Sequence, residues 1–224
     1  MSEARSPAAG FERALRAARI VPVLTIERAE QAVPLARALV SGGLPVLEVT
    51  LRTPAAAEAA RRIMAELPEA LVGLGTVLAP RDVDLALELG VRFAVSPGTT
   101  PALLAAAAGH AAALPFMPGA ATASEAMAAR EAGFTLLKIF PAEAVGGLAL
   151  LRGLAGPLPE LRFCPTGGID ARNVADYLAL RSVVAVGGSW VAPAADIAAG
   201  AWERIAERAR AARRLLGDEV PVPA

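Results

Sequence analysis

The chain has 224 residues, and its 22 basic and 22 acidic side chains cancel to a formal charge of +0. That balance gives no sign of the basic stripe a nucleic-acid partner would need, and no apolar run approaches the roughly 18 residues of a membrane span. One cysteine (Cys164) and one histidine (His110) exclude an intramolecular disulfide and leave a Cys/His zinc site or a Ser-His-Asp triad almost without material.

The first twenty residues carry no apolar signal-like segment, so a cytoplasmic protein is expected. Residues 8–19 read as an extra N-terminal helix. After it, short apolar runs alternate with longer helical patterns. The runs are IVPVLTI (20–26), VLEVTL (46–51), LVGLGTV (71–77), RFAVSPG (92–98), LPFMPG (114–119), TLLKIFP (135–141), LRFCPTGG (161–168) and SVVAVGGS (182–189), each roughly 20–28 residues after the last. Between them, TPAAAEAARRIMAEL and TASEAMAAREAG are rich in Ala, Glu and Arg and place apolar residues at three- and four-residue spacing, which predicts helices. Gly90 and Gly133 are placed to close two of these helices, and Pro80 and Pro101 stand near helix starts. His110, in AAAAGHAAALPF, falls at an expected helix end, where a capping or solvent role suits it. AAGAWERIAERARAARRLLG predicts one long closing helix, followed by a loose tail, DEVPVPA.

Apolar strands alternating with helices imply parallel pairing with the helices outside. Eight strand-helix units, with no G-x-G-x-x-G after the first strand, predict an α/β protein of the (β/α)8 TIM-barrel type. One domain is expected over residues 1–224, with no linker. In such barrels the chemistry lies at the C-terminal ends of the strands, and polar residues and glycines gather there in these runs.

Of the 22 basic residues 21 are arginine; the single lysine, Lys138, lies in FTLLKIFPAE among apolar neighbours. Strand alternation puts Leu136, Lys138 and Phe140 on one face and Leu137 and Ile139 on the other, so Lys138 is expected to point into the barrel. Burial favours a neutral amine, which can attack a carbonyl and form a Schiff base; a guanidinium cannot. A structural lysine paired with a carboxylate is the alternative. Glu48, in VLEVTLR, is expected either to shuttle protons or to pair with a buried base. Arg52, just past the same strand, is a fork suited to a substrate carboxylate, or else a surface arginine opening the next helix. Thr76 in GLGTV offers a hydroxyl to a carboxylate or alcohol. Gly167 and Gly168 in PTGGID, with Gly187, Gly188 and Ser189 in AVGGSW, stand where barrels recurrently bind phosphate, although tight turns also need glycine. Ser96–Gly98 and Pro118–Gly119 shape strand-end turns, while Phe163, Cys164, Trp190 and Trp202 read as packing residues. An amine, a carboxylate, an anion-binding arginine and a phosphate cradle together suit a substrate with a ketone beside a carboxylate at one end and a phosphate at the other.

The segments AVPLARALVSGGLPVLEVTLRT, PEALVGLGTVL, FAVSPG, KIFPAEAVGG, RFCPTGGI, DYLAL and GGSW, in this order from about residue 20 to 193, resemble the 2-keto-3-deoxy-6-phosphogluconate (KDPG) aldolase family, bacterial class I, which also acts on 4-hydroxy-2-oxoglutarate. The resemblance implies a homotrimer of barrels that needs neither metal nor cofactor, takes a phosphorylated 2-keto-3-deoxy sugar acid, releases pyruvate, and involves no nucleic acid or membrane. It implies that Lys138 forms the Schiff base and Glu48 is the general acid–base. Arg52 and Thr76 would hold the pyruvate carboxylate, Thr166 would line the cavity, and Gly167, Gly168, Gly187, Gly188 and Ser189 would hold the phosphate. Ile139 departs from the aromatic common at its position, and the two chain ends match only loosely. The galactonate-derived substrate differs only at C4 and stays open. So do a phosphosugar isomerase or epimerase, which would need no lysine, and a non-catalytic sugar-phosphate sensor. A metal-dependent aldolase is disfavoured by the poor ligand set.

Overall fold

The computed structural model describes residues 7–216. In chain order the strands are β1 (Ile20–Leu24), β2 (Val46–Thr50), β3 (Leu71–Gly75), β4 (Phe93–Val95), β5 (Phe116–Met117), β6 (Gly119–Ala120), β7 (Leu136–Ile139), β8 (Arg162–Pro165) and β9 (Val186–Gly188). The helices are α1 (Pro7–Ala18), α2 (Ala32–Ser41), α3 (Ala56–Glu66), α4 (Pro80–Leu89), α5 (Pro101–Gly109), α6 (Ala123–Glu131), α7 (Gly147–Ala155), α8 (Val174–Leu178), α9 (Ala194–Ala198) and α10 (Trp202–Arg214). Each apolar run contributes strand, but the strands are shorter than the runs because the run ends turn out of the sheet.

Six strands make one curled parallel sheet in the order β5-β4-β3-β2-β1-β9, and three make a second in the order β6-β7-β8. The fifth run, expected as one strand, is divided into β5 and β6 by Pro118, which has no N–H to give a ladder. Between β8 and β9, Phe163 N–H donates to Ser182 O at 2.7 Å and Val184 N–H donates to Phe163 O at 3.0 Å. Isolated bridges pair Phe163 with Val183 and Thr166 with Gly187.

Strand alternation sorts the core in two. Leu47, Val49, Val72, Leu74, Ala94, Leu137, Ile139 and Phe163 pack in the cluster that includes the helices' apolar stripes, such as Leu35 and Leu39 of α2 and Ile63 of α3. Val21, Val46, Phe93, Val95, Met117, Cys164 and Ala185 form a second, inner cluster, joined by Phe11, Leu15 and Ala18 of α1. The expected N-terminal helix therefore seals the inner face, and the Phe11 ring stacks on Phe93 with centroids 4.5 Å apart. The inner fit depends on Gly73, where a Cβ would lie 2.4 Å from the Phe93 ring.

Helix ends follow the local chemistry. Gly90 takes φ +70° at the end of α4, and Gly133 takes φ +94° one residue past the cap of α6. Pro80 and Pro101 open α4 and α5, with Thr100 Oγ1 accepting from Leu103 N–H, and His110 caps the C-terminus of α5. One expectation is corrected. The closing helix does not run from Ala198: Gly200, at φ +65°, breaks the segment, α9 ends before it and α10 starts at Trp202. The residues of DEVPVPA lie outside the described residues. Among the described residues, no helix is long and apolar enough to cross a membrane.

Candidate active site

Lys138 of β7 meets Glu48 of β2. Its Nζ donates to Glu48 Oε1 at 2.9 Å and to Oε2 at 3.2 Å. The residues are 3% and 2% exposed, so each charge is compensated by the other and by little else. β2 and β7 belong to different sheets, so the pair spans the concave interior. The expected alternation holds around it: Leu136 packs on the inner cluster, whereas Leu137 and Ile139 face the helices. The Phe140 ring centroid lies 5.5 Å from Nζ. Cys164, in register with Lys138 on β8, is wholly buried. Burial pushes its thiol up to about 12, so it stays neutral and packs as a small apolar side chain.

Space for the Glu48 carboxylate comes from Gly75. A Cβ there would sit 2.2 Å from Oε1 and 2.6 Å from Cγ of Glu48. Gly75 was not singled out in the sequence. Its signal is Gly73 and Gly75 spaced by two in one strand, which marks a face where other groups approach closely. The next residue, Thr76, holds φ +60°, a strained conformation for a β-branched residue. Leu51 N–H donates to Gly75 O at 2.8 Å, which ties the segment leading to Arg52 to the end of β3. Arg52 is exposed in the turn after β2, and its guanidinium has no partner among the described residues.

The other strand ends are stitched together by backbone. Ala142 N–H donates to Thr166 O at 2.8 Å and Glu143 N–H donates to Gly167 O at 3.1 Å. Thr166 is buried, and a Cβ on Gly187 would lie 2.3 Å from its Oγ1. Gly167 and Gly168 hold φ +99° and +82°, a consecutive left-handed pair open to glycine. Gly188 lies under the Trp190 ring, where a Cβ would come within 1.8 Å of Cζ3. The backbone N–H groups of Gly168 and Ser189 have no acceptor among the described residues. The predicted residues thus share the C-terminal ends of the strands. Lys138 and Glu48 alone among them are hydrogen-bonded side chain to side chain; Arg52, Thr76 and the glycine turns form no hydrogen bond with those two side chains.

A family model described as KDPG and KHG aldolase matches residues 11–208. The chain belongs to this family. Within the KDPG and KHG aldolases, the KHG/KDPG aldolase of Escherichia coli (strain K12) is 49% identical over 201 residues, 90% of this chain and 93% of its own. The KDPG aldolase of Legionella pneumophila, solved with pyruvate captured at low pH as a covalent carbinolamine intermediate, is 42% identical with a TM-score of 0.86, covering 90% of this chain and 97% of that one. The KDPG aldolase of Zymomonas mobilis ZM4, solved with 3-phosphoglycerate, is 44% identical with a TM-score of 0.86, covering 96% and 100%. The motif resemblance and the whole-chain similarity to KDPG and KHG aldolases therefore agree.

Proposed function

We propose that this chain is a class I aldolase that cleaves 2-keto-3-deoxy-6-phosphogluconate to pyruvate and glyceraldehyde 3-phosphate, and also 4-hydroxy-2-oxoglutarate to pyruvate and glyoxylate. The buried contact between the only lysine and Glu48 supports this most directly. Moving one proton from Nζ to the carboxylate leaves an amine and an acid side by side. The amine adds to the C2 ketone to give a carbinolamine, the species captured with pyruvate in the Legionella relative. Loss of water gives an iminium that draws electrons. Glu48, then ionised, takes the C4 hydroxyl proton, the C3–C4 bond breaks, and its electron pair enters the iminium to form an enamine. Glu48 returns the proton to C3, and hydrolysis frees pyruvate and Lys138.

In the same reading Arg52 and Thr76 hold the carboxylate of the pyruvate half. Thr166 lines the cavity. Gly167, Gly168, Gly187, Gly188 and Ser189 hold the phosphate, and the open N–H groups of Gly168 and Ser189 favour an anion there. Two sheets facing a shared ion pair, separated on one side by Pro118 alone and linked on the other by the Thr166–Gly187 bridge, support a closed (β/α)8 barrel. A homotrimer comes with the family resemblance, and light scattering is expected to give three copies; one domain over residues 1–224 and a cytoplasmic location rest on the sequence.

Incubation with pyruvate and borohydride should add one reduced pyruvate to Lys138, located by peptide mass mapping. A coupled lactate dehydrogenase assay should report pyruvate from both substrates. An isomerase or a non-catalytic sensor gives neither. Gly75→Ala should disturb the same chemistry without touching a reacting group. Its methyl would occupy the place of the Glu48 carboxylate, and a displacement of about 1 Å in a catalytic group costs about a hundredfold. A fall in kcat of that order, with the pyruvate adduct still formed, is expected in steady-state and trapping measurements.

A further inference from the structure

We infer that Tyr177, acting through Glu143, is a positioning residue for the phosphate end of the substrate, an inference that rests on the aldolase reading above. Tyr177 lies on α8, and its side chain is wholly buried. Its hydroxyl donates to Glu143 Oε1. Phenylalanine would fill the same apolar space; a buried phenol needs an acceptor. The acceptor here is not a neighbour in the core but an otherwise exposed glutamate five residues beyond Lys138.

Glu143 lies against the Gly167–Gly168 turn in two ways. Its backbone N–H donates to Gly167 O at 3.1 Å. Its side chain passes beneath Gly168, where a Cβ would lie 2.6 Å from Glu143 Cβ and 2.5 Å from Cγ. Gly147 makes room for the pair: a Cβ there would lie 2.8 Å from the Tyr177 hydroxyl and 3.3 Å from Glu143 Oε1. The turn is also held from its other side, where Asn173 Nδ2 donates to Gly168 O at 3.1 Å. The segment after β7, the turn after β8 and the start of α7 thus meet at one hydrogen bond.

The position of this carboxylate is chemically significant. The N–H group of Gly168 has no acceptor among the described residues. A glutamate free to swing beside it would compete with phosphate for that donor. Held by the Tyr177 hydroxyl, it is withheld from that N–H while its stem supports Gly168. Burial first, then the carboxylate itself, raises the Tyr177 phenol, so the hydroxyl remains a donor across the neutral range.

Tyr177→Phe removes the hydroxyl and keeps the ring. It should raise KM for 2-keto-3-deoxy-6-phosphogluconate about five- to tenfold, an indirect effect on the scale of one ordinary hydrogen bond. The KM for unphosphorylated 4-hydroxy-2-oxoglutarate and the rate of pyruvate trapping on Lys138 should stay within about twofold. Adding Glu143→Gln to Tyr177→Phe replaces the freed carboxylate with an uncharged amide and should reverse most of the rise in KM. Calorimetric binding of 3-phosphoglycerate, measured on all three proteins, gives the same comparison without turnover: Tyr177→Phe should bind it more weakly, and the double variant should regain most of the affinity. Unchanged KM and binding in Tyr177→Phe would overturn the inference. Equal losses for both substrates, or a loss of trapping, would also overturn it by indicating a general distortion of the site. A wild type that traps no pyruvate, with 3-phosphoglycerate binding weakened only in Tyr177→Phe, would refute the aldolase reading and leave this inference standing.

Discussion

Lys138→Arg is expected to form no reducible adduct with pyruvate and to lose aldol cleavage on the order of 10^6-fold, the scale seen when a covalent nucleophile is removed. The substitution separates two things that lysine supplies together. An arginine at this position keeps a positive charge beside Glu48 and can offer it two parallel hydrogen bonds. What it cannot do is lose a proton and bond to carbon. If the lysine only compensated the buried Glu48 carboxylate, the exchange would be tolerated and cleavage would persist. The site is tight, with Lys138 3% exposed and the Phe140 ring 5.5 Å from Nζ, so the bulkier guanidinium has to be accommodated. Lys138→Met is therefore the companion variant: it adds no bulk, lacks the amine, and should lose the adduct equally. Mass spectrometry after borohydride gives the adduct, the lactate dehydrogenase couple gives the rate, and circular dichroism verifies the fold. Substantial cleavage by a folded Lys138→Arg protein would remove Lys138 from the chemistry.

The strands were legible because their apolar residues must be buried on both faces, and their ends because polar and glycine residues gather there. Pairing between neighbours in sequence follows from short right-handed connections. The division of the fifth run was visible as Pro118 in FMPG, yet its effect on the sheet depends on which neighbours need a donor at that place. Gly200 inside AAGAW was likewise visible, but the alanine and arginine around it favour helix so strongly that the break passed as a tolerated glycine. Pairing of β9 with β1 joins residues far apart in sequence; it followed from counting eight strand-helix units, not from any local pattern.

In the site, Lys138 stood out because the chain otherwise uses arginine. Its contact with Glu48 was one of two readings for each residue, and only the three-dimensional path of β2 and β7 brings them to 2.9 Å. Gly75 and Tyr177 were not singled out. Both act by space or support, which depends on what approaches them from elsewhere. A glycine in a strand gives a weak hint of such an approach, and a tyrosine in DYLAL gives none.

Glu48→Gln should distinguish the proton carrier from the nucleophile. Glutamine keeps the shape of the side chain and an oxygen that accepts from Nζ, but it cannot take up and return a proton. Cleavage is expected to fall about 10²- to 10⁴-fold, the usual contribution of a positioned general acid–base. The amine remains, so pyruvate should still be trapped on Lys138, more slowly because loss of water from the carbinolamine also needs an acid. The sharper readout is exchange of the pyruvate methyl hydrogens with deuterium from solvent, followed by NMR. Exchange requires the iminium to lose a C3 proton and regain another, the step assigned to Glu48. An adduct without exchange is the expected pattern, and wild-type exchange in this variant would place the proton carrier elsewhere. The same change removes the counter-charge from a lysine that is 3% exposed. Breaking a buried pair in this way costs up to about 3–5 kcal/mol, so urea unfolding should show a lowered midpoint. Comparing the pyruvate-saturated protein with the free one tells whether that loss matters during turnover: the iminium carries the same positive charge as the ammonium, and Glu48 has to balance both.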